Sequence, residues 1–290
     1  MKVHVLDGTY ELFRHYFGLP SGERPEADPV RAVRGVVYSV VTLLEEGVTH
    51  LGVATDHVIE SFRNDLWPGY KSSAGMPEVL LAQFGPLEDA MGDLGVTVWP
   101  MVDLEADDAL AAAAKVAAAD PEVEQVVIMT PDKDLAQCVT GTRVVQLDRR
   151  SGVVSDEAGV KTKYGVMPPS IPDWLALVGD SADGFPGLKG WGKKGAATVL
   201  TRYNHIEEIP EHPWRWDVDV RGANSLSAAL NENRELALLF KDLATLRADA
   251  EVVGTVEDMR WKGPTDRLEQ LAVTLRAPRL VERVNALHPR

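Results

Sequence analysis

Five short apolar runs constrain this chain more than any other feature: Val3–Leu6, His50–Ala54, Val96–Trp99, Val126–Met129 and Arg143–Leu147. Each is too short for a buried helix and has the length of a buried strand. Stretches of helical pattern separate them, among them Val30–Leu44 and the alanine-rich Asp108–Asp120, which Pro121 stops. Strands alternating with helices predict an α/β fold with a mostly parallel central sheet flanked by helices. After about Tyr164 the pattern changes. Prolines and tryptophans appear in MPPSIPDWLALVGD, followed by helical segments at Ala196–Tyr203, Ser225–Leu246 and Asp266–Leu287. The 290 residues suffice for about two domains. The pattern divides them into an α/β domain over 1–164 and a smaller helical domain over 165–290.

Acids follow four of the strands. Val3–Leu6 runs into Asp7, and Leu51–Ala54 into Asp56. Val96–Trp99 is followed by MVDLEADD, with Glu105, Asp107 and Asp108, and Val126–Met129 by Asp132 and Asp134. Parallel α/β sheets bind ligands beyond the carboxyl ends of their strands, so these acids are expected at one edge. Glu105 and Asp108 stand three apart at a helix start and share a face. So many carboxylates at one edge call for cations. Hard oxygen ligands suit Mg²⁺ or Mn²⁺, and paired divalent ions are a device for in-line phosphodiester cleavage. The plainer alternative makes each Asp a helix cap or turn former.

The net charge of −14 would by itself argue against a polyanionic partner, unless the acids are clustered. A single cysteine, Cys138, allows no internal disulfide. Asp7 comes too early for a signal peptide, and the apolar stretch VVYSVVTLL is too short to span a membrane. These features predict a soluble cytoplasmic protein. The seven histidines, at 4, 15, 50, 57, 205, 212 and 288, show no zinc-site spacing.

GWGKKG, Gly190–Gly195, matches a dinucleotide fingerprint by letter, but a Pro-Gly turn precedes it instead of a strand. As a P-loop, GLKGWGKK fails at Lys194, where Ser or Thr should hold Mg²⁺. The better reading is a tight hairpin between helices, its glycines exposing backbone N–H groups and a helix N-terminus to phosphate. Gly187, Gly190 and Gly192 shape it, and Lys189, Lys193, Lys194 and Arg202 supply charge. Gly184–Tyr203 contains no acid, so this is a basic patch in an acidic chain.

Together these stretches resemble the 5′-nuclease superfamily: flap endonucleases, bacteriophage 5′-exonucleases and the 5′-nuclease domain of bacterial DNA polymerase I. The resemblance runs from Val3 to about Leu246. VLDGTYELFRHYF looks like the family's opening strand, with Asp7 and Arg14. DHVIESFRNDLWPGYK is similar to its second acidic motif, with Asp56, Phe62, Arg63, Tyr70 and Lys71. LEADD and TPDKDL match two further signatures. LVGDSADGFPGLKGWGKKGA looks like its helix-three-turn-helix, with Asp180 and Asp183, and NRELALLFKDLATLR resembles the helix that follows.

The resemblance implies a PIN-like or resolvase-like α/β domain and a helical DNA-binding domain whose hairpin spans about 180–203. It implies two Mg²⁺ (or Mn²⁺) ions held by Asp7, Asp56, Glu105, Asp107, Asp108, Asp132, Asp134, Asp180 and Asp183. Removing those nine from 44 acids leaves 35 against 30 basic residues, a balance of −5, so most of the acid excess lies in the implied metal site. Asp7, Asp132 and Asp134 would activate water for attack near a 5′ end, leaving a 5′-phosphate and a 3′-hydroxyl. Arg63 and Lys71 would steer the scissile phosphate, while Lys133 would point elsewhere. The segment about 57–102 would form an arch or gateway. Arg14 and the hairpin would grip duplex backbone without reading sequence, with K⁺ held at the hairpin's main-chain carbonyls. The implied partner is DNA with 5′ ends or 5′ flaps, at the nucleoid. A monomer is that family's default, no membrane is involved, and recruitment by a sliding clamp is left open.

The sequence departs from the family at Ala74, Gly184 and Gly195, where a basic residue, an Asn and a Thr are usual, and at Trp191, usually aliphatic. Two other readings follow: a DNA-structure binding protein with weak or lost nuclease activity, and a PIN-like ribonuclease.

Overall fold

This computed structural model describes residues 1–18 and 28–287; His288 lies outside the described residues. In chain order the elements begin with β1 (Lys2–Asp7), α1 (Gly8–Phe17), α2 (Arg31–Glu45), β2 (His50–Asp56), α3 (Phe62–Leu66), α4 (Glu78–Leu81) and α5 (Phe84–Asp93). They continue with β3 (Thr97–Met101), α6 (Ala106–Ala119), β4 (Gln125–Met129), β5 (Val144–Asp148), β6 (Val153–Ser155), α7 (Glu157–Tyr164) and α8 (Ile171–Val178). The last are α9 (Lys193–Tyr203), α10 (Ala223–Glu232), α11 (Arg234–Ala244), α12 (Leu268–Thr274) and α13 (Leu280–Asn285). No helix among the described residues is long and apolar enough to cross a membrane.

Two compact units form, and neither is continuous in sequence. The first takes Met1–Ile59, Ser73–Thr130 and the chain from Arg247 onward; the second takes Glu60–Ser72 and Pro131–Leu246. The units therefore cut across a linear division near residue 164.

In the first unit four parallel strands lie in the order β3-β2-β1-β4, with Val5 opposite both Gly52 and Ile128 and Ala54 opposite Trp99. All seven residues of β2 are buried. Strands covered on both faces read as near-continuous apolar runs, which is why β2 shows no alternation. On α2, Val33, Val36, Val37, Val40, Val41 and Leu44 recur at helical spacing and are all buried. The apolar face of α6, Ala109, Leu110, Ala111–Ala114 and Ala117, is buried where the helix packs on the parallel strands, its small side chains giving a close helix–sheet approach. From Arg247 the chain contributes α12, α13 and Trp261, whose indole N–H donates to the Leu94 carbonyl at 2.8 Å.

The second unit holds the antiparallel β5–β6 ladder and a helical core of Trp174, Leu175, Leu177, Phe185, Trp191 and Phe240. The single helix expected over Ser225–Leu246 is two, because Asn233 (φ −127°, ψ 29°) ends α10 and begins α11. The three-residue β6 escaped the sequence reading: Val153 and Val154 are both 57% exposed, so it carries no burial pattern.

Candidate metal centre and phosphate-facing hairpin

In the second unit the Asp132 carboxylate accepts the Asp134 N–H at 3.0 Å. This closes the turn that starts the 3-10 segment Asp134–Cys138. The Asp180 carboxylate likewise accepts the Ala182 N–H at 3.0 Å, and Asp180 bridges to Phe185. One carboxylate oxygen each of Asp134, Asp180 and Asp183 then lies within 4.8 Å of the others. Ligand oxygens at about 2.1 Å from an octahedral Mg²⁺ are separated by about 3–4 Å, so small side-chain movements would close the three on one ion.

Asp134 feels the charge of the other three carboxylates. It is buried, and its Oδ1 has no hydrogen-bond partner. Burial pushes its carboxyl well above the usual carboxylate range, and the charges of Asp132, Asp183 and Asp180 add to the rise, against a counteracting pull from Lys133. A buried acceptor without a donor, among three further carboxylates, fits a hard divalent cation.

The structure corrects the expectation for Lys133. Its Nζ lies 2.5 Å from Asp180 Oδ2, so it points into the acidic group. Burial alone would lower this ammonium's pKa. The charges of Asp134, Asp132 and Asp180, with the hydrogen bond to Asp180, outweigh that and hold it above its ordinary value. Lys71 Nζ lies 3.4 Å from Asp183 Oδ1.

The short segment that carries Lys71 is stitched to the loop that carries Asp183. The Lys71 N–H donates to the Asp183 carbonyl at 3.1 Å, and Trp67 Nε1 donates to the Gly184 carbonyl at 3.0 Å. Gly184 has φ +83°, and a Cβ there would fall 1.9 Å from the Gly69 carbonyl oxygen. Glycine at this departure from the family pattern thus meets two local demands. Trp67 also packs edge-on against Phe240 at 5.1 Å, and Tyr70 is buried. Both serve packing.

Arg63 takes a different place from the one the resemblance implies. It is 1% exposed, with Nε donating to the Leu243 carbonyl at 2.8 Å and a terminal nitrogen to the Thr245 carbonyl at 3.2 Å. A guanidinium committed to the open carbonyls at the end of α11 is not presented to a phosphate.

In the first unit, several acids cap helices and remain at the strand ends. Asp7 ends β1 and caps α1; Oδ1 accepts the Tyr10 N–H and Oδ2 the Thr130 hydroxyl, both at 2.8 Å. Asp56 ends β2 and accepts the Ala106 N–H at 2.7 Å, which ties it to the start of α6. Glu105 and Asp108 form a reciprocal capping box there, with Asp107 half-buried between them. Asp108 is fully buried, one oxygen accepting the Glu105 N–H and the other the Arg247 N–H. Those bonds make it a positioning carboxylate. On α1, Arg14 pairs with the buried Glu11 at 2.5 Å. Of the segment 57–102, Phe84–Asp93 is a core helix that buries Phe84, Leu87, Ala90 and Met91.

At the hairpin, Gly187 (φ +68°) approaches the Gly179 backbone so closely that a Cβ would sit 2.3 Å from its nitrogen. Gly190 follows at φ +89°, and Gly192 is the N-cap of α9. Lys189, Lys193 and Lys194 are exposed around that helix start. Trp191 is buried, its indole N–H donating to the Leu226 carbonyl at 3.1 Å. Gly195 has room for a side chain, its nearest neighbour being Leu226 Cδ1 at 3.6 Å. Arg202 stands apart from the lysines. It lies nine residues beyond Lys193, about 14 Å along α9, and pairs with Asp217 at 2.9 Å.

A parallel α/β unit with acids at its strand ends, and a helical unit with an acidic triad and a lysine-flanked hairpin, are the parts expected of a nuclease that uses metal ions. The chain belongs to the 5′-3′ exonuclease family: the model of its N-terminal resolvase-like domain matches residues 2–165, and that of its C-terminal SAM fold matches 166–267. It is 35% identical over 258 residues to DNA polymerase I of Pseudomonas aeruginosa, covering 86% of this chain but 27% of the polymerase. It is 31% identical over 269 residues to a 5′-3′ exonuclease of Buchnera aphidicola subsp. Baizongia pistaciae, covering 90% of this chain and 86% of that one. Among solved structures, T5 5′-exonuclease with bound zinc superposes with a TM-score of 0.68 at 18% identity, over 95% of this chain and 98% of that one. The catalytic core of Rad2 in complex with DNA substrate gives 0.64 at 13% identity, over 99% and 92%. At these identities the two structures establish the fold.

Proposed function

We propose that this chain is a divalent-metal-dependent, structure-selective 5′ nuclease that hydrolyses DNA phosphodiesters at 5′ ends or 5′ flaps. The observation that carries the reading is the triad Asp134, Asp180 and Asp183, with its buried, unpartnered Asp134 oxygen. Asp132 and the triad would hold one Mg²⁺ or Mn²⁺. Asp7, Asp56, Glu105 and Asp107 would offer ligands in the first unit, with Asp108 orienting Glu105. Bound divalent ions supply Lewis acidity and a water of lowered pKa.

The chain's own residues do the rest. Lys71 is tethered through its backbone to the Asp183 carbonyl, so its ammonium is in place to meet a phosphate. Arg63 fixes the segment from which Lys71 projects. Lys189, Lys193 and Lys194, with the N–H groups opening α9, would hold duplex phosphates without regard to sequence.

The test is cleavage of a 3′-labelled, 5′-flapped duplex with Mg²⁺, with Mn²⁺ and with EDTA. The Asp132→Asn/Asp134→Asn variant controls for contaminating nuclease. Metal-dependent cutting near the junction, lost in the variant, is expected. Folded wild-type protein that binds this substrate but cuts it with neither metal overturns the reading in favour of a DNA-structure binding protein. Cutting of the RNA counterpart alone would instead favour the ribonuclease.

A further inference from the structure

The lysine inside the TPDKDL motif has no place in the mechanism above, yet it reaches the triad. Lys133 Nζ pairs with Asp180 Oδ2 at 2.5 Å, and Lys71 Nζ with Asp183 Oδ1 at 3.4 Å. Asp180 and Asp183 thus each have an ammonium beside them, whereas the buried Oδ1 of Asp134 has no hydrogen-bond partner. We propose that the Lys133 ammonium is a built-in counter-ion of the triad, holding Asp180 in its ligating position before a divalent ion binds and competing with that ion for the same carboxylate. This inference rests on the metal-site reading above.

Three features support it. First, the pair is local and oriented: Lys133 stands between Asp132 and Asp134 in sequence, so the turn that places the acids also places the lysine. Gln146 fixes that turn by donating to the Asp132 carbonyl. Second, the buried carboxylates of Asp134, Asp180 and Asp183, with the half-buried Asp132 beside them, repel one another, and an internal cation lowers the cost of assembling them. Third, the Lys133 side chain is 30% exposed, against 2% for Asp180. A flexible ammonium at the solvent margin can swing outward when a divalent ion takes its carboxylate, whereas the carboxylate stays. Metal binding is then an exchange of one cation for another.

The consequence is specific. Removing the competitor tightens divalent metal binding and leaves the metal-free triad less stable. The experiment is calorimetric titration of Mn²⁺ into the full chain without DNA, with thermal melts in EDTA and in Mn²⁺. Wild type, Lys133→Met, Lys133→Arg, Asp134→Asn/Asp183→Asn and Lys161→Met are compared. Lys161 is exposed on α7, outside the acidic group.

The binding lost in Asp134→Asn/Asp183→Asn defines the triad's own isotherm. Lys133→Met is expected to tighten it about fivefold, the upper scale of one partly exposed charge pair. It should also lower the EDTA melting temperature and widen the gain on adding Mn²⁺. Lys133→Arg and Lys161→Met should follow wild type. An unchanged or weakened isotherm in Lys133→Met, with wild-type binding intact, overturns the inference and leaves the metal site standing. Absence of any wild-type binding that the double variant removes overturns the metal-site reading itself, and the inference with it.

Discussion

Gly184→Ala isolates the contact that joins the Lys71 segment to the Asp183 loop. The residue sits at φ +83°, and a methyl group there would lie 1.9 Å from the Gly69 carbonyl oxygen. Since real contacts of this kind stay above 3.0 Å, one backbone must retreat by about 1 Å. That retreat stretches the Lys71 N–H bond to the Asp183 carbonyl and the Trp67 bond to the Gly184 carbonyl, now 3.1 and 3.0 Å. Two neutral hydrogen bonds are worth about 1 kcal/mol each, and the left-handed backbone costs a non-glycine residue about 1 kcal/mol more. The sum is about 3 kcal/mol. Gly222→Ala is the control: it has φ +79° and open space within 4 Å of where its Cβ would lie, so it should cost only about 1 kcal/mol. Entropy lost from the unfolded chain is common to both substitutions and cancels in the comparison. Urea unfolding measures the difference. If Gly184→Ala is no less stable than Gly222→Ala, close approach does not explain this glycine. Single-turnover cleavage should also slow in Gly184→Ala, through the displaced Lys71, and not in Gly222→Ala.

Arg63→Met should destabilise the fold by about 3 kcal/mol, because the carbonyls of Leu243 and Thr245 lose a buried charged donor; a stable variant with a specific loss of cleavage rate would return Arg63 to phosphate contact. Lys193→Ala and Lys194→Ala should each weaken duplex binding at all sequences alike and reduce its salt slope by about 1, while Arg202→Ala, whose partner is Asp217, should change the slope less. Salt titrations of binding decide this. Stability should also fall in mild acid because of His4. Burial, then the charge of Lys2, lowers its pKa from 6.5 to about 4. Between those values the unfolded chain binds the proton and the folded chain does not, so stability is intact above 6.5 and is lost as pH falls toward 4, by about 2 kcal/mol at pH 5. His4→Gln should flatten that slope, and an unchanged slope in urea unfolding would refute the assignment.

The sheet and the acids at its strand ends were legible because both rest on local pattern. An apolar run without alternation has one economical place in a fold, between two layers of helices, and the acid after it then falls at the carboxyl end. Side-chain direction was not legible. Lys133 was expected to point away from its two aspartates, and Arg63 to meet a phosphate. Lys133 instead reaches Asp180, 47 residues on in the chain, and Arg63 reaches the end of α11 at Leu243, 180 residues on. No spacing rule reports pairs so far apart. Gly184 was a departure without a reason until the Gly69 carbonyl supplied one. The break at Asn233 had a faint cue in the run Asn231-Glu232-Asn233, which the apolar period on either side obscured.

The two readings of the acids, cap or ligand, prove not to exclude each other. Asp56 accepts the N–H of Ala106 at the start of α6, Asp132 and Asp180 close their own turns, and Glu105 shares a capping box with Asp108. A carboxylate held by a backbone N–H through one oxygen has a fixed direction for the other. A metal site needs that property, since ligands that must be ordered at binding lose affinity to entropy. Capping is therefore the means by which these loops aim their carboxylates. The exceptions separate the roles. Asp108 has both oxygens engaged by the backbone and orients its neighbours. Asp134 keeps one buried oxygen without a donor, and it is there, where hydrogen bonding stops short, that the chain has left work for a cation.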